Sequence, residues 1–89
     1  MTAFLPEELA EVSRIAAMHV GAGIWKKMER ITGAGFDRII IWFSDREGIH
    51  YRLERDQSGW TYLLLCGADD WRLLVSGPFD ECLQWLRKS

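Results

Sequence analysis

From Phe36 to Ser76 the chain repeats one pattern: a run of mostly β-branched, aromatic and other apolar residues, then a link of four or five residues. The runs are about Phe36–Phe43, Ile49–Arg55, Trp60–Cys66 and Trp71–Ser76, and the links read SDREG, DQSG and GADD. Each link carries Gly with Asp or Ser. These are turn residues, because Gly accepts positive φ and Asp or Ser can bond the backbone of its own turn. Links this short are too short for a parallel crossover, so neighbouring strands must be antiparallel. The run therefore predicts a four-stranded antiparallel meander in the order 1-2-3-4.

A helix is expected on each flank. Pro6 suits a first helical turn, since its missing N–H would be unbonded there anyway. Glu7, Glu8 and Glu11 follow it, on the side where negative charge favours the helix dipole, and Lys26, Lys27 and Arg30 lie toward the other end. With Gly33 as the stop, the helix is expected from Pro6 to about Thr32, with a kink at Val20–Gly23, where two glycines interrupt it. Leu5, Leu9, Val12, Ala16, Val20, Ile24 and Ile31 form its main apolar face. Ile15, Met18 and Trp25 form a second stripe that one sheet cannot cover together with the first. GPFDECLQWLRKS opens the closing helix, with Phe79, Cys82, Leu83 and Leu86 on its inner stripe. This segment is similar to helices that follow meanders in small bacterial proteins, a similarity that implies no function.

At 89 residues one domain, 1–89, is expected. The predicted architecture is α+β: a two-layer sandwich with both helices on one sheet face. Side chains alternate across a strand, so parity assigns the faces. The core set is read as Ile39, Ile41, Phe43, Ile49, Tyr51, Leu53, Trp60, Tyr62, Leu64, Cys66, Trp71, Leu73 and Val75. The uncovered face then holds Arg38, Ile40, Trp42, His50, Arg52, Leu63, Leu65, Arg72 and Leu74. For the first strand the opposite parity is open, which would expose Ile39, Ile41 and Phe43 instead.

Both faces are thus apolar in a chain that hides only about 60–65% of its unfolded surface. Apolar patches of more than a few hundred Å² mark contact sites, and Trp and Arg are the residue types that dominate them. The expected role is a small non-enzymatic interaction module. It would form a homodimer, or bind another protein, through the open face or the Ile15–Met18–Trp25 stripe. The alternative is a binder or small enzyme for an anionic small molecule, using Trp42, His50, Arg52 and Arg72. Weak binding of single-stranded nucleic acid ranks third, because only one aromatic is placed on that face and the net charge is -2.

No catalytic residue is assigned. His19 reads as a bonded structural histidine, Asp69 and Asp70 as turn residues, and the two GAG stretches lack the strand-then-helix setting of a phosphate loop. Cys66 and Cys82 read as reduced core residues, since Cys–x–x–Cys and Cys/His clusters are lacking. Neither metal nor cofactor is expected. The N-terminal stretch lacks a signal-peptide pattern and no apolar run suits a bilayer, so a cytoplasmic location is expected.

Overall fold

A computed structural model describes residues 3–88. The first helix, α1, is Pro6–Gly21. The Glu8 carboxylate accepts a hydrogen bond from the Leu5 N–H at 2.7 Å, meeting one of the backbone donors that a helix start leaves free. The other end is a Schellman closure. Ile24 N–H donates to the His19 carbonyl at 2.9 Å and Gly23 N–H to that of Val20 at 3.0 Å, with Gly23 at φ 77°. The glycines expected to kink a long helix therefore end a shorter one.

The segment beyond is β1, Trp25–Gly33, so the sheet has five strands, not four. The others are β2 Phe36–Phe43, β3 His50–Asp56, β4 Thr61–Cys66 and β5 Trp71–Gly77, followed by α2 Phe79–Lys88. The sheet is an antiparallel meander in the order β1-β2-β3-β4-β5. The extra strand escapes the sequence pattern for a local reason. Trp25 pairs with Phe43 and Lys27 with Trp42, leaving Lys26 as a bulge. That extra residue breaks the alternation and spaces Trp25, Met28 and Ile31 as a helix would. Lys, Met, Glu and Arg are also good helix formers.

Both helices pack on the sheet and touch each other, α1 against β1 and α2 against β4 and β5. Beneath them lie Phe4, Val12, Ile15, Trp25, Ile39, Ile41, Tyr51, Leu53, Leu63, Phe79, Cys82, Leu83 and Leu86. The parity expected for β2 and β3 holds, with Ile39, Ile41, Tyr51 and Leu53 inside. That of β4 is reversed. Leu53 pairs with Leu63, not with Tyr62, and Leu63 is 0% exposed. The β3–β4 turn accounts for the slip. Asp56 N–H donates to the Trp60 carbonyl and Gly59 N–H to that of Asp56, with Gly59 at φ 85°, so Trp60 belongs to the turn. One added turn residue sends every following side chain to the other face. A second bulge, at Leu74 opposite the Leu63–Leu64 step, leaves Leu74 and Val75 both packed on the core.

Two ionic ties fasten the N-terminus to this frame. Asp37, buried on β2, accepts from the Phe4 N–H at 2.9 Å and from Arg30 at 3.0 and 2.7 Å. Arg55 forks onto Glu8 at 2.6 and 2.7 Å, and its guanidinium lies over the Phe4 and Phe79 rings. Burial pushes the Asp37 carboxyl upward, but Arg30 and the Phe4 and Arg38 N–H groups outweigh it and hold it below its ordinary value. Glu8 is depressed likewise, its desolvation outweighed by Arg55 and the Leu5 N–H. Among the described residues no helix is long and apolar enough to cross a membrane.

Two outcomes follow. Leu63→Ala is expected to lower the unfolding free energy by about 2–5 kcal/mol in urea titrations. Leu64→Ala should cost about half that or less, because the Leu64 side chain already meets solvent. Equal losses would contradict the register. Because the folded pKa values of Asp37 and Glu8 are depressed, their contribution is present above the ordinary carboxylate range, about pH 4. It is lost as pH falls through the folded values. Asp37→Asn should lower the melting temperature at pH 7 and flatten the acid limb of the stability curve.

Candidate functional site

The sheet face away from the helices is built by register. Directly paired residues share a face, so two rows cross the strands: Glu29–Ile40–Arg52–Leu64–Leu73, and Lys27–Trp42–His50–Cys66–Trp71. Below them run Ile31, Arg38, Glu54, Tyr62 and Ser76. This surface is apolar for much of its extent. Trp71 is 68% and Leu73 47% exposed, while Trp42 and Leu64 are half-buried among their neighbours.

Most of its charges are internally paired. Lys27 meets Glu29 at 2.8 Å, and Arg38 meets Glu54. Arg52 differs: half-buried between Ile40 and Leu64, it makes no ion pair among the described residues. Its Nε, the Nδ1 of neighbouring His50 and the Nε1 of Trp42 are shielded and lack hydrogen-bond partners among the described residues. Trp42 and His50 stand ring to ring at 4.6 Å, with the Lys27 ammonium 5.7 Å from the Trp42 ring centre. Burial, and then the Arg52 charge, hold the His50 pKa below its ordinary value against an opposing pull from the Gly48 backbone.

Beside this group a cleft of about 490 Å³ runs from His50 and Arg52 across Leu64 and Cys66 to Trp71 and the Gly67–Asp70 turn. Its far rim carries Asp69 and Asp70, both exposed. One cleft thus holds an unpaired cation on its floor, acids on its lip and an exposed indole between. A second hollow, of about 230 Å³, lies past Trp42 and is lined by Lys26, Lys27, Phe43, Arg46 and Glu47.

Of the residues assigned to this surface from sequence, Arg38, Ile40, Trp42, His50 and Arg52 are brought together on it. Leu63, Leu65, Arg72 and Leu74 are not. Leu63 is buried, Leu65 and Leu74 pack against the core, and Arg72 pairs with Leu65, on the helix side. Tyr62, Leu64, Cys66, Trp71 and Leu73 take their places. The turn and bulge that moved them have local signals in Gly59 and in the unbroken apolar run Leu63–Cys66, but parity alone does not reveal them. The helix stripe also dissolves. Ile15 is in the core and Trp25 is a buried β1 residue, while Met18, at 67% exposed, shares only the edge of a hollow with Ile15 and His19.

His19 is structural, as expected: its Nδ1 donates to the Ile15 carbonyl at 2.9 Å and its ring stacks on Trp25 at 4.3 Å. Cys66 and Cys82 are free and buried, and burial pushes the Cys82 thiol up to about 11. Comparisons with protein-family models, with curated proteins and with solved structures find no match to this chain.

An NMR titration of the His50 ring should give a midpoint below the ordinary histidine value of about 6.5. Arg52→Met should raise that midpoint only in part, because burial remains. An unmoved midpoint would mean that the two side chains do not sense each other. The sign for stability follows: neutral His50 is favoured in the fold, so its contribution is present above the ordinary value and is lost as pH falls.

Proposed function

We propose that the chain is a non-enzymatic interaction module whose open sheet face docks a protein partner. The observation that carries this reading is Arg52: a half-buried side chain, its Nε shielded and unbonded, with no counter-ion among the described residues, set among Ile40, Trp42, Leu64 and Leu73. A shielded polar group is unfavourable unless it is bonded, and a cation set among apolar side chains favours a facing anion. A partner that lays apolar side chains on this face and brings a carboxylate to Arg52 supplies the pair and covers the patch together. Glu29, Glu54, Asp69 and Asp70 border the same surface, which argues against a polyanion such as nucleic acid.

The cleft supports a second reading, since its volume suits a small ligand. Arg52 and His50 would then hold a carboxylate or phosphate whose apolar body lies on Leu64 and Trp71. The acids on the lip disfavour highly charged anions there. A thermal-shift screen with carboxylates and phosphates separates the two: an upward shift that Arg52→Ala abolishes would favour the small ligand.

The leading reading is tested by placing a photo-crosslinking amino acid at Leu73 on the open face, or at Arg14 on the exposed side of α1, in the cells that make the protein. Crosslinks to a specific protein, its own copy included, are expected from Leu73 and should be lost on Arg52→Glu. Equal capture from Arg14, or capture indifferent to Arg52→Glu, would overturn the assignment of this surface.

A further inference from the structure

We infer that the protein partner enters the cleft beside Arg52 with an extended segment of the pattern acidic–x–apolar–x–basic. Its carboxylate meets Arg52, its apolar side chain lies over Leu64 and Cys66 against Trp71, and its cation meets the Asp69–Asp70 turn. The inference rests on the reading of the open face as a docking surface and adds the chemistry of what docks.

The cleft carries opposite charges at its two ends. Arg52 lies on its floor, and Asp69 and Asp70 stand exposed on its lip; none of the three makes an ion pair among the described residues. Burial, and then the Arg52 charge, hold His50 below its ordinary pKa, so at neutral pH it is largely uncharged and the floor offers one cation. A single carboxylate matches that charge. A phosphate dianion or a run of acids would meet the two acids on the lip, and a wholly basic segment would be repelled by the floor. The complement of the cleft is therefore a segment that carries both signs, with the acid at the Arg52 end.

The strand register sets the spacing. Arg52 pairs with Leu64, and Leu64 with Leu73. Two residues along, His50 pairs with Cys66 and Cys66 with Trp71, and Asp70 is one residue beyond. From Arg52 to Asp70 is thus two strand spacings across and three residues along, about 14 Å between Cα atoms on the diagonal. Cys66, one strand across and two residues along, lies near the middle of that diagonal. In an extended segment residues i, i+2 and i+4 share one side and also span about 14 Å. In a helix, residues four apart rise by only about 6 Å. An acid at i, an apolar residue at i+2 and a base at i+4 then fall over Arg52, over Cys66 and over the acidic turn. The middle position is apolar because the half-buried Leu64, the buried Cys66 and the exposed Trp71 surround it.

Five-residue peptides, acetylated and amidated so that their ends add no charge, provide the test. In heteronuclear NMR titrations Glu-Thr-Leu-Thr-Lys should bind with a Kd below about 1 mM, in keeping with a small contact, and should move the signals of the Trp71 indole and the Gly67 amide. Replacing its Glu by Lys, its Lys by Glu or its Leu by Ser should each weaken binding about tenfold. Charge reversal in the protein should reverse the choice. R52E should favour Lys-Thr-Leu-Thr-Lys over the parent peptide, and D69K/D70K should favour Glu-Thr-Leu-Thr-Glu. R14E, on the exposed side of α1, should leave the preference unchanged. Circular dichroism melts within a few degrees of wild type establish that each variant folds; for one that does not, the peptide series on the wild-type chain decides. No binding of any peptide at about 5 mM, or equal binding of the parent and the charge-altered peptides, overturns the inference. If Leu73 crosslinks still depend on Arg52 in that case, the docking reading stands with a partner of other chemistry.

Discussion

Two helices side by side, each about 10 Å across, cover about 20 Å. Five strands about 4.8 Å apart span nearly the same width. Among the described residues the two helices are therefore enough to cover one face of the sheet. α1 and α2 lie together on one side, over Ile39, Ile41, Tyr51, Leu53 and Leu63, and the remaining face is left to solvent or to a partner. The meander makes this unavoidable: hairpin links cannot carry a helix across to the far side, so helices come only from the ends of the chain. Everything unusual about the open face begins with that shortage.

Charge is treated differently on the two sides. Under the helices, Asp37 is met by Arg30 and a backbone N–H, and Arg55 is met by Glu8 in a two-pronged contact. These ties hold Phe4 and the start of α1 onto the sheet; removing Arg30 would strand the buried Asp37, and removing either Arg55 or Glu8 would strand the other in a poorly hydrated place. On the open side Lys27 and Arg38 are likewise answered by Glu29 and Glu54. Arg52 is the contrast. It sits at the centre of the surface, where a counter-ion would be simplest to place, yet Leu64 is its β4 partner and Ile40 its β2 partner. A sequence shaped only by stability would gain from Glu or Thr at either position. Apolar neighbours around an unanswered cation suit a contact whose acid comes from elsewhere.

Much of the frame was legible in the residues. The hairpin links located β2 through β5, and Pro6 and Gly77–Phe79 marked the helix starts. Alternation in β3, from His50 to Arg55, assigned its two faces correctly because both adjoining strands are regular there. The failures share one cause, an extra residue. Lys26 bulges from β1, Trp60 extends the β3–β4 turn and Leu74 bulges from β5. Each preserves the hydrophobic composition of its segment while shifting its phase. Period-two reasoning has no means of detecting that where strands are apolar on both sides, as with Leu63, Leu64 and Leu65. On β2 and β3 the faces that alternation predicts are those of the structure; on β4, and on β5 up to the bulge at Leu74, they are reversed.

The same bulges also bear on how the molecule can associate. A sheet edge offers free N–H and C=O groups, and pairing edge to edge is the simplest way for two such chains to join. Here both edges are blunted. β1 presents Lys26, Lys27, Glu29 and Arg30 with a bulge at its start, and β5 is interrupted by the bulge at Leu74 beside Arg72. Those are the features that natural sheets use against continuing into a neighbour. The open face has no comparable guard. Its charges are paired at the margins, Arg52 lies at its centre between the buried Ile40 and the half-buried Leu64, and Leu73 and Trp71 are exposed on its β5 side. A chain that protects its edges while leaving Trp71 and Leu73 exposed beside a cleft directs association onto that face, where contacts are made by side chains and specificity is set by where the charges fall.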